Sequence, residues 1–213
     1  MELKGKKVNF LGDSITEGVG TSCVEAQFSS VLAEMAELGE IRNYGIGGTR
    51  IANQHKVEIS VDTLSFCQRY DEMDDDADIV VVFGGTNDYG HGDAPFGEFS
   101  DRTPDTFYGG CHYLMKSLIE KYPDKQIVIL TPMHRSNGYE LKPERQQNLR
   151  DYVHAIVEVA EYYSIPVLDL FRNLGICPDV EVQKEMFCPD GLHPNDAGNR
   201  LIALRLKKFL ENI

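Results

Sequence analysis

At 213 residues the chain is long enough for one α/β domain that buries about 70% of its unfolded surface. With 42% hydrophobic and 26% charged residues it has the makeup of a globular protein, and no run approaches the roughly 18–20 apolar residues that span a bilayer. Lys and Arg number 21 against 34 Asp and Glu, a formal charge of −13 that disfavours phosphate backbones and anionic membranes as partners.

The N-terminal stretch Met1–Lys7 is basic but has no long apolar region or small-residue cleavage site behind it. The chain therefore reads as cytoplasmic and without a signal peptide. Val8–Leu11 is the first predicted strand and stops at Gly12. A helix is predicted over Val24–Glu37, with Phe28, Val31, Leu32 and Met35 on its apolar face. Ile41–Tyr44 is a second short strand running into Gly45-Ile46-Gly47-Gly48, and a weaker helical pattern covers Val61–Gln68.

Ile79–Phe83 is the clearest strand: β-branched and without a polar residue, as expected for a parallel strand covered on both faces. It ends at Gly84-Gly85, and a long loop with Gly, Pro and aromatics runs from Tyr89 to Thr103. Further on come a helix from Pro104 to Lys121, a strand at Gln126–Leu130, a helix over Pro143–Tyr163 and a strand at Ile165–Leu170. The last helix follows Pro194-Asn195, with an apolar stripe of Ile202, Leu206, Phe209 and Leu210. Strands alternating with helices imply right-handed crossovers, and so a five-stranded parallel sheet with helices on both faces. Nothing divides the chain, and residues 1–213 read as a single domain.

Five cysteines, Cys23, Cys67, Cys111, Cys177 and Cys188, are widely spaced and include no CxxC pair. Reduced, mostly packed thiols are expected, and neither zinc nor redox chemistry. The acidic run Asp71–Asp78 lacks the ligand spacing and central Gly of a calcium loop and reads as a solvated loop. Asp88, His91 and Asp93 fall in a loop with no rigid element to hold a metal, so no metal site is assigned.

In open α/β sheets, ligands bind beyond the carboxyl ends of the strands. Four segments meet that condition: Gly12-Asp13-Ser14-Ile15, Gly45-Ile46-Gly47-Gly48, Gly84-Gly85-Thr86-Asn87-Asp88, and Asp190-Gly191-Leu192-His193 before the last helix. Together they hold the parts of acyl transfer. Ser14 sits on a tight turn and needs a base within reach. His193 can be that base, since an imidazole ordinarily exchanges its proton near neutral pH. Asp190, three residues earlier, can hold the far ring nitrogen. The N–H groups of Ser14 and Gly48, with the amide of Asn87, can form an oxyanion hole worth roughly 3–4 kcal/mol per donor. Asp13, Arg50, Tyr89 and His134 are the candidates for contacting the substrate. The aromatics Phe96, Phe99, Phe107 and Tyr108 either form an acyl or sugar platform or pack the long loop down.

The four segments resemble the sequence blocks of the SGNH hydrolases, also called the GDSL esterase/lipase family, over residues 8 to about 210. Ile15 stands where the family's name has leucine. The resemblance implies a three-layer flavodoxin-like fold, hydrolysis of acyl esters and no cofactor. A short-chain, acetyl-type ester is the expected substrate, with an acetylated carbohydrate as acyl donor; a lysophospholipid or thioester is the alternative. The sequence leaves the oligomeric state open, a homo-oligomer included. A dinucleotide-binding protein is excluded because Cys23 and Arg50 stand where the third glycine of G-x-G-x-x-G belongs, and a P-loop because no Gly-Lys-Ser or Gly-Lys-Thr occurs. A non-catalytic carbohydrate-binding protein would leave Ser14, His193 and Asn87 without a common purpose.

Overall fold

The computed structural model describes residues 1–56, 64–141 and 146–213. Five strands form one all-parallel sheet: β1 (Lys7–Gly12), β2 (Glu40–Gly45), β3 (Ile79–Phe83), β4 (Gln126–Leu130) and β5 (Val167–Leu168). Their order in space is β2-β1-β3-β4-β5. This is the flavodoxin-like order, whose direction reverses at β1 and β3 and opens a crevice there.

Alternation along each strand divides the apolar residues between two cores. Leu11, Val80, Val82, Ile127 and Ile129 face one layer, built on α5 (Phe107–Lys121) and α6 (Leu149–Tyr162). Phe10, Ile79, Val81, Phe83, Val128 and Leu130 face the other, built on α2 (Phe28–Ala36) and α9 (Asp196–Glu211). In that second layer Phe28 meets Phe10 and Phe83 edge to face, at centroid distances of 5.6 and 6.0 Å. Among the described residues no helix is long and apolar enough to cross a membrane.

Several boundaries differ from the sequence-based expectation, each for a local reason. The helix predicted over Val24–Glu37 is broken: a 3-10 turn covers Val24–Ala26, and α2 starts only at Phe28. Gln27 between them is extended, its side chain donates to Glu17 O, and Phe28 N donates to Asn199 Oδ1. These long-range bonds replace the helical ones. Helix α5 starts at Phe107 and not near Pro104, because the Thr106 hydroxyl caps it by accepting from Gly109 N. Helix α6 starts at Leu149 behind an Asn148–Asp151 capping box, and residues 142–145 of its predicted start lie outside the described residues. The fifth strand shortens to two residues because Asp169 caps α7 (Leu170–Asn173). Of the helix predicted over Val61–Gln68, residues 57–63 lie outside the described residues, and α3 covers Phe66–Arg69.

The acidic run is more than a solvated loop. Arg42 pairs with Asp74 and Asp76, Lys7 with Asp76, and Lys121 with Asp71 and Asp75. These pairs gather where the strands begin, at the opposite end of the sheet from the strand-end glycines. All five cysteines are free thiols, with Cys67, Cys111 and Cys188 buried.

Helix α9 is held by its apolar stripe, Leu206 being fully buried. Leu206→Ala is expected to lower the unfolding free energy by about 2–5 kcal/mol in a urea titration. Leu204→Ala, one turn-face away and 36% exposed, is expected to change it by less than about 1 kcal/mol.

Candidate active site

The chain leaves β1 at Gly12, where a side chain has no room: a Cβ would lie 1.9 Å from Thr16 Oγ1. Asp13 then caps α1 (Ser14–Glu17), its Oδ1 accepting from Ile15 N at 3.0 Å. Gly18 closes this single turn in the left-handed region, φ 101°, and returns its N–H to Ser14 O. Ser14 is thereby fixed just past the strand end, 8% exposed, with Oγ 2.9 Å from His193 Nε2.

His193 lies between α8 (Glu181–Phe187) and α9, in a segment tied down by Asp190. Asp190 Oδ1 accepts from Leu192 N at 2.8 Å and from His193 N at 2.7 Å, and its Oδ2 lies 2.6 Å from His193 Nδ1. Burial works to raise the Asp190 carboxyl, but the hydrogen bonds from the His193 backbone, the His193 ring and Leu192 outweigh it and hold it below the usual aspartate value. An ionised carboxylate only accepts, so Nδ1 carries the hydrogen and Nε2 is left to accept from the Ser14 hydroxyl. Gly20 packs against the backbone of this segment, where a Cβ would fall 2.8 Å from Pro194 O and 3.2 Å from His193 Cβ.

The turn after β2 comes up against Ser14. Asn43 Nδ2 donates to Thr16 O at 2.6 Å, and Glu17 Oε2 accepts from Gly47 N at 2.7 Å. A Cβ built on Gly47 would lie 3.7 Å from Ser14 Cβ. Gly48 takes φ 76°, a conformation that favours glycine and turns its backbone through the corner. The N–H groups of Ser14 and Gly48 enter no hydrogen bond among the described residues. From α4 (Thr86–Gly90), Asn87 donates through Nδ2 to Thr49 O at 3.0 Å, which brings its amide beside Gly48.

Beneath these turns lies Arg69, 3% exposed. Its guanidinium donates to Gly12 O at 2.6 Å, Tyr44 O at 2.5 Å and Thr49 Oγ1 at 3.0 Å. Burial draws its pKa down to about 10, which still leaves it charged at neutral pH.

The four predicted segments are thus brought together, but the candidate substrate contacts are not all among them. Asp13 is turned into the protein. Tyr89 is buried, and its hydroxyl donates toward Asn137 O and Glu140 O at 2.7 and 2.9 Å, so it anchors the loop after β4. His134 stacks on Phe171 at 3.8 Å and lines a cavity of about 640 Å³ on the outer side of α6, together with Tyr139, Arg150 and His154. Arg50 lies at the site and meets His91. Phe96 and Phe107 pack on Tyr152, at 5.0 and 4.6 Å, so these aromatics hold the long loop down. Asp88 accepts from Ile51 N and Ala52 N, and Asp93 from His55 N and Lys56 N, so each carboxylate has its own partners. Arg69, Glu17 and Asn43 were not singled out as site residues by the sequence, and His91 was weighed only as a metal ligand. Only His91 carried a usable signal, standing four residues after Asn87.

A family model described as the GDSL-like Lipase/Acylhydrolase family matches residues 10–201. A solved structure 33% identical to the chain covers 100% of it and 99% of its own length, with a TM-score of 0.88. A second, from Lactobacillus plantarum, is 30% identical over 99% of this chain and 98% of its own, at a TM-score of 0.86. An acetyl xylan esterase, AlAXEase, is 22% identical over 95% of this chain and 98% of its own, at a TM-score of 0.62. No curated protein matches the chain.

Burial raises the Asp13 carboxyl to about 7, against the bond from Ile15 N; nearby Asp88 adds to the rise and Arg69 and Arg135 oppose it. The folded chain thus holds this proton more tightly than the unfolded chain, and stability falls as pH climbs from about 4 to about 7. Asp13→Asn keeps an acceptor for Ile15 N and removes the titration. Its unfolding free energy relative to wild type should improve between pH 4.5 and pH 8, by an amount of the order of a few kcal/mol in urea titrations.

Proposed function

Since this chain belongs to the GDSL-like Lipase/Acylhydrolase family and is a carboxylic ester hydrolase, we propose that Ser14 is its nucleophile, His193 its general base and acid, and Asp190 the carboxylate that orients that imidazole. The observation that carries this reading is the unbroken chain of contacts from Asp190 Oδ2 through His193 to Ser14 Oγ, at 2.6 and 2.9 Å.

In the forward step, His193 Nε2 takes the Ser14 proton as Oγ attacks the ester carbonyl. Asp190 keeps the hydrogen on Nδ1 and stabilises the imidazolium that forms. The carbonyl oxygen becomes an oxyanion received by Ser14 N–H, Gly48 N–H and Asn87 Nδ2. Two of these donors are backbone groups on turns fixed by Asp13, Glu17 and Asn43, so little reorganisation is needed as charge develops. The imidazolium then gives its proton to the leaving alcohol, and water, activated by the same nitrogen, hydrolyses the acyl-enzyme.

A short acyl group suits the surroundings of Ser14. Gly47 stands beside it, its Cβ position 3.7 Å from Ser14 Cβ, and the aromatics of the long loop are packed against the core instead of lining an acyl channel. An acetyl ester on a carbohydrate is the substrate class this reading favours. The acetyl xylan esterase among the structural neighbours is in keeping with that preference, although its likeness at 22% identity bears on the fold.

Ser14→Ala should abolish p-nitrophenyl acetate hydrolysis and fluorophosphonate labelling together. His193→Ala should lower kcat by roughly 10²–10⁴-fold without changing the thermal transition by more than a few degrees. Retention of more than about a tenth of the activity by either variant overturns the role assigned to that residue. Across acetate, butyrate and octanoate esters, kcat/KM should fall with chain length; a rise toward octanoate would point to a lipid substrate.

A further inference from the structure

An amide's oxygen and nitrogen ends are nearly the same shape, so a half-turn of the Asn87 side chain would aim an acceptor at the oxyanion in place of a donor. Two contacts decide which end lies where. Thr49 O, which can only accept, lies 3.0 Å from Asn87 Nδ2. His91 Nε2 lies 3.2 Å from Asn87 Oδ1, and its other ring nitrogen, Nδ1, lies 2.5 Å from Arg50 Nη2.

A guanidinium only donates, so Nδ1 is the acceptor of that pair and the imidazole is neutral, with its hydrogen on Nε2. Nε2–H therefore donates to Asn87 Oδ1. Every step then runs the same way, from Arg50 through His91 and Asn87 to Thr49 O. Bonds aligned in this manner polarise one another, which makes the remaining Asn87 N–H a better donor.

The local backbone delivers these residues. Helix α4 is a single turn, and His91 N donates to Asn87 O at 2.9 Å, which seats the ring four residues beyond Asn87 on the same side. Arg50 follows Gly48 by two residues. The same turn thus carries an oxyanion N–H and the cation at the head of the relay.

We propose that Arg50 and His91 are positioning residues that fix the donor end of Asn87 toward the oxyanion, so that neither needs to touch the substrate. The proposal rests on the reading of Ser14 as nucleophile and Asn87 as oxyanion donor. It assigns Arg50 a different task from the substrate contact expected from its sequence position.

The test compares p-nitrophenyl acetate kinetics of the wild type with Ser14→Ala, Asn87→Ala, His91→Leu, His91→Gln and the Asn87→Ala/His91→Leu double variant. Loss of one oxyanion donor costs roughly 10²–10³-fold in kcat, and loss of its orientation should cost less, about tenfold. His91→Leu should show that loss in kcat with KM within about twofold of wild type. His91→Gln, whose amide can accept from Arg50 and donate to Asn87, should recover most of it. In the Asn87→Ala background, His91→Leu should have no further effect, since the relay acts only through Asn87. Unchanged kcat in His91→Leu, or an equal loss in both backgrounds, overturns the relay while leaving the esterase assignment intact. Full activity in Ser14→Ala or Asn87→Ala overturns the underlying assignment, and the relay with it.

Discussion

The site depends on one buried cation. Arg69 binds the carbonyl that ends β1, the carbonyl near the end of β2, and the hydroxyl of Thr49 beyond Gly48. Gly12 O also accepts from Ile46 N at 3.1 Å, so the guanidinium reinforces the last rung that joins β1 to the turn after β2. One planar guanidinium with several donors serves all three groups at once. It therefore sets the spacing between the serine turn and the glycine turn. Thr49 in turn offers its carbonyl to Asn87, so three of the four polar segments are braced through a group that need not meet the substrate.

The fourth segment is braced from the other face of the sheet. Asn199, fully buried in α9, donates to Pro194 O and accepts from Phe28 N. Gln27, beside it, reaches Glu17 O. The helix that follows His193 is thus linked through the start of α2 to the turn that carries Ser14. The break in the helical pattern at Gln27 is the local consequence. Helical bonds are given up where the chain must join the His193 segment to the Ser14 turn.

Much of this was legible in the sequence because period and punctuation are local signals. β3 and β4 match their predicted limits residue for residue, since uninterrupted β-branched runs in a parallel sheet have few alternative readings. The Gly-led turns and the Asp-x-x-His spacing located Ser14, Asn87, Gly48, Asp190 and His193 at one end of the sheet. Side-chain direction was not legible. Asp13 and Tyr89 stand at strand-end positions that suggest contact with a ligand, yet burial and a cap claim the first and a loop anchor the second. Arg69 sits in Phe66-Cys67-Gln68-Arg69, where nothing in the pattern separates a buried hub from a surface cation. Its role arises only when β1 and β2 are laid side by side.

The anchoring of Tyr89 bears on how such an enzyme could change its preferences. A phenol in the core, held to Asn137 O and Glu140 O, constrains the path of the loop after β4, and Arg135 of that loop lies over the same ring. His134 and Arg135 are tied to Phe171 and Thr86 and Asn137 takes φ 61°, whereas Tyr139, Glu140 and Leu141 are exposed and can change while the trace is kept. The loop ahead of α5 lacks this freedom, because Phe96 and Phe107 are themselves part of the packing around Tyr152. Divergence and laboratory grafting alike should therefore find new specificity more readily in residues 139–141 than in residues 96–107.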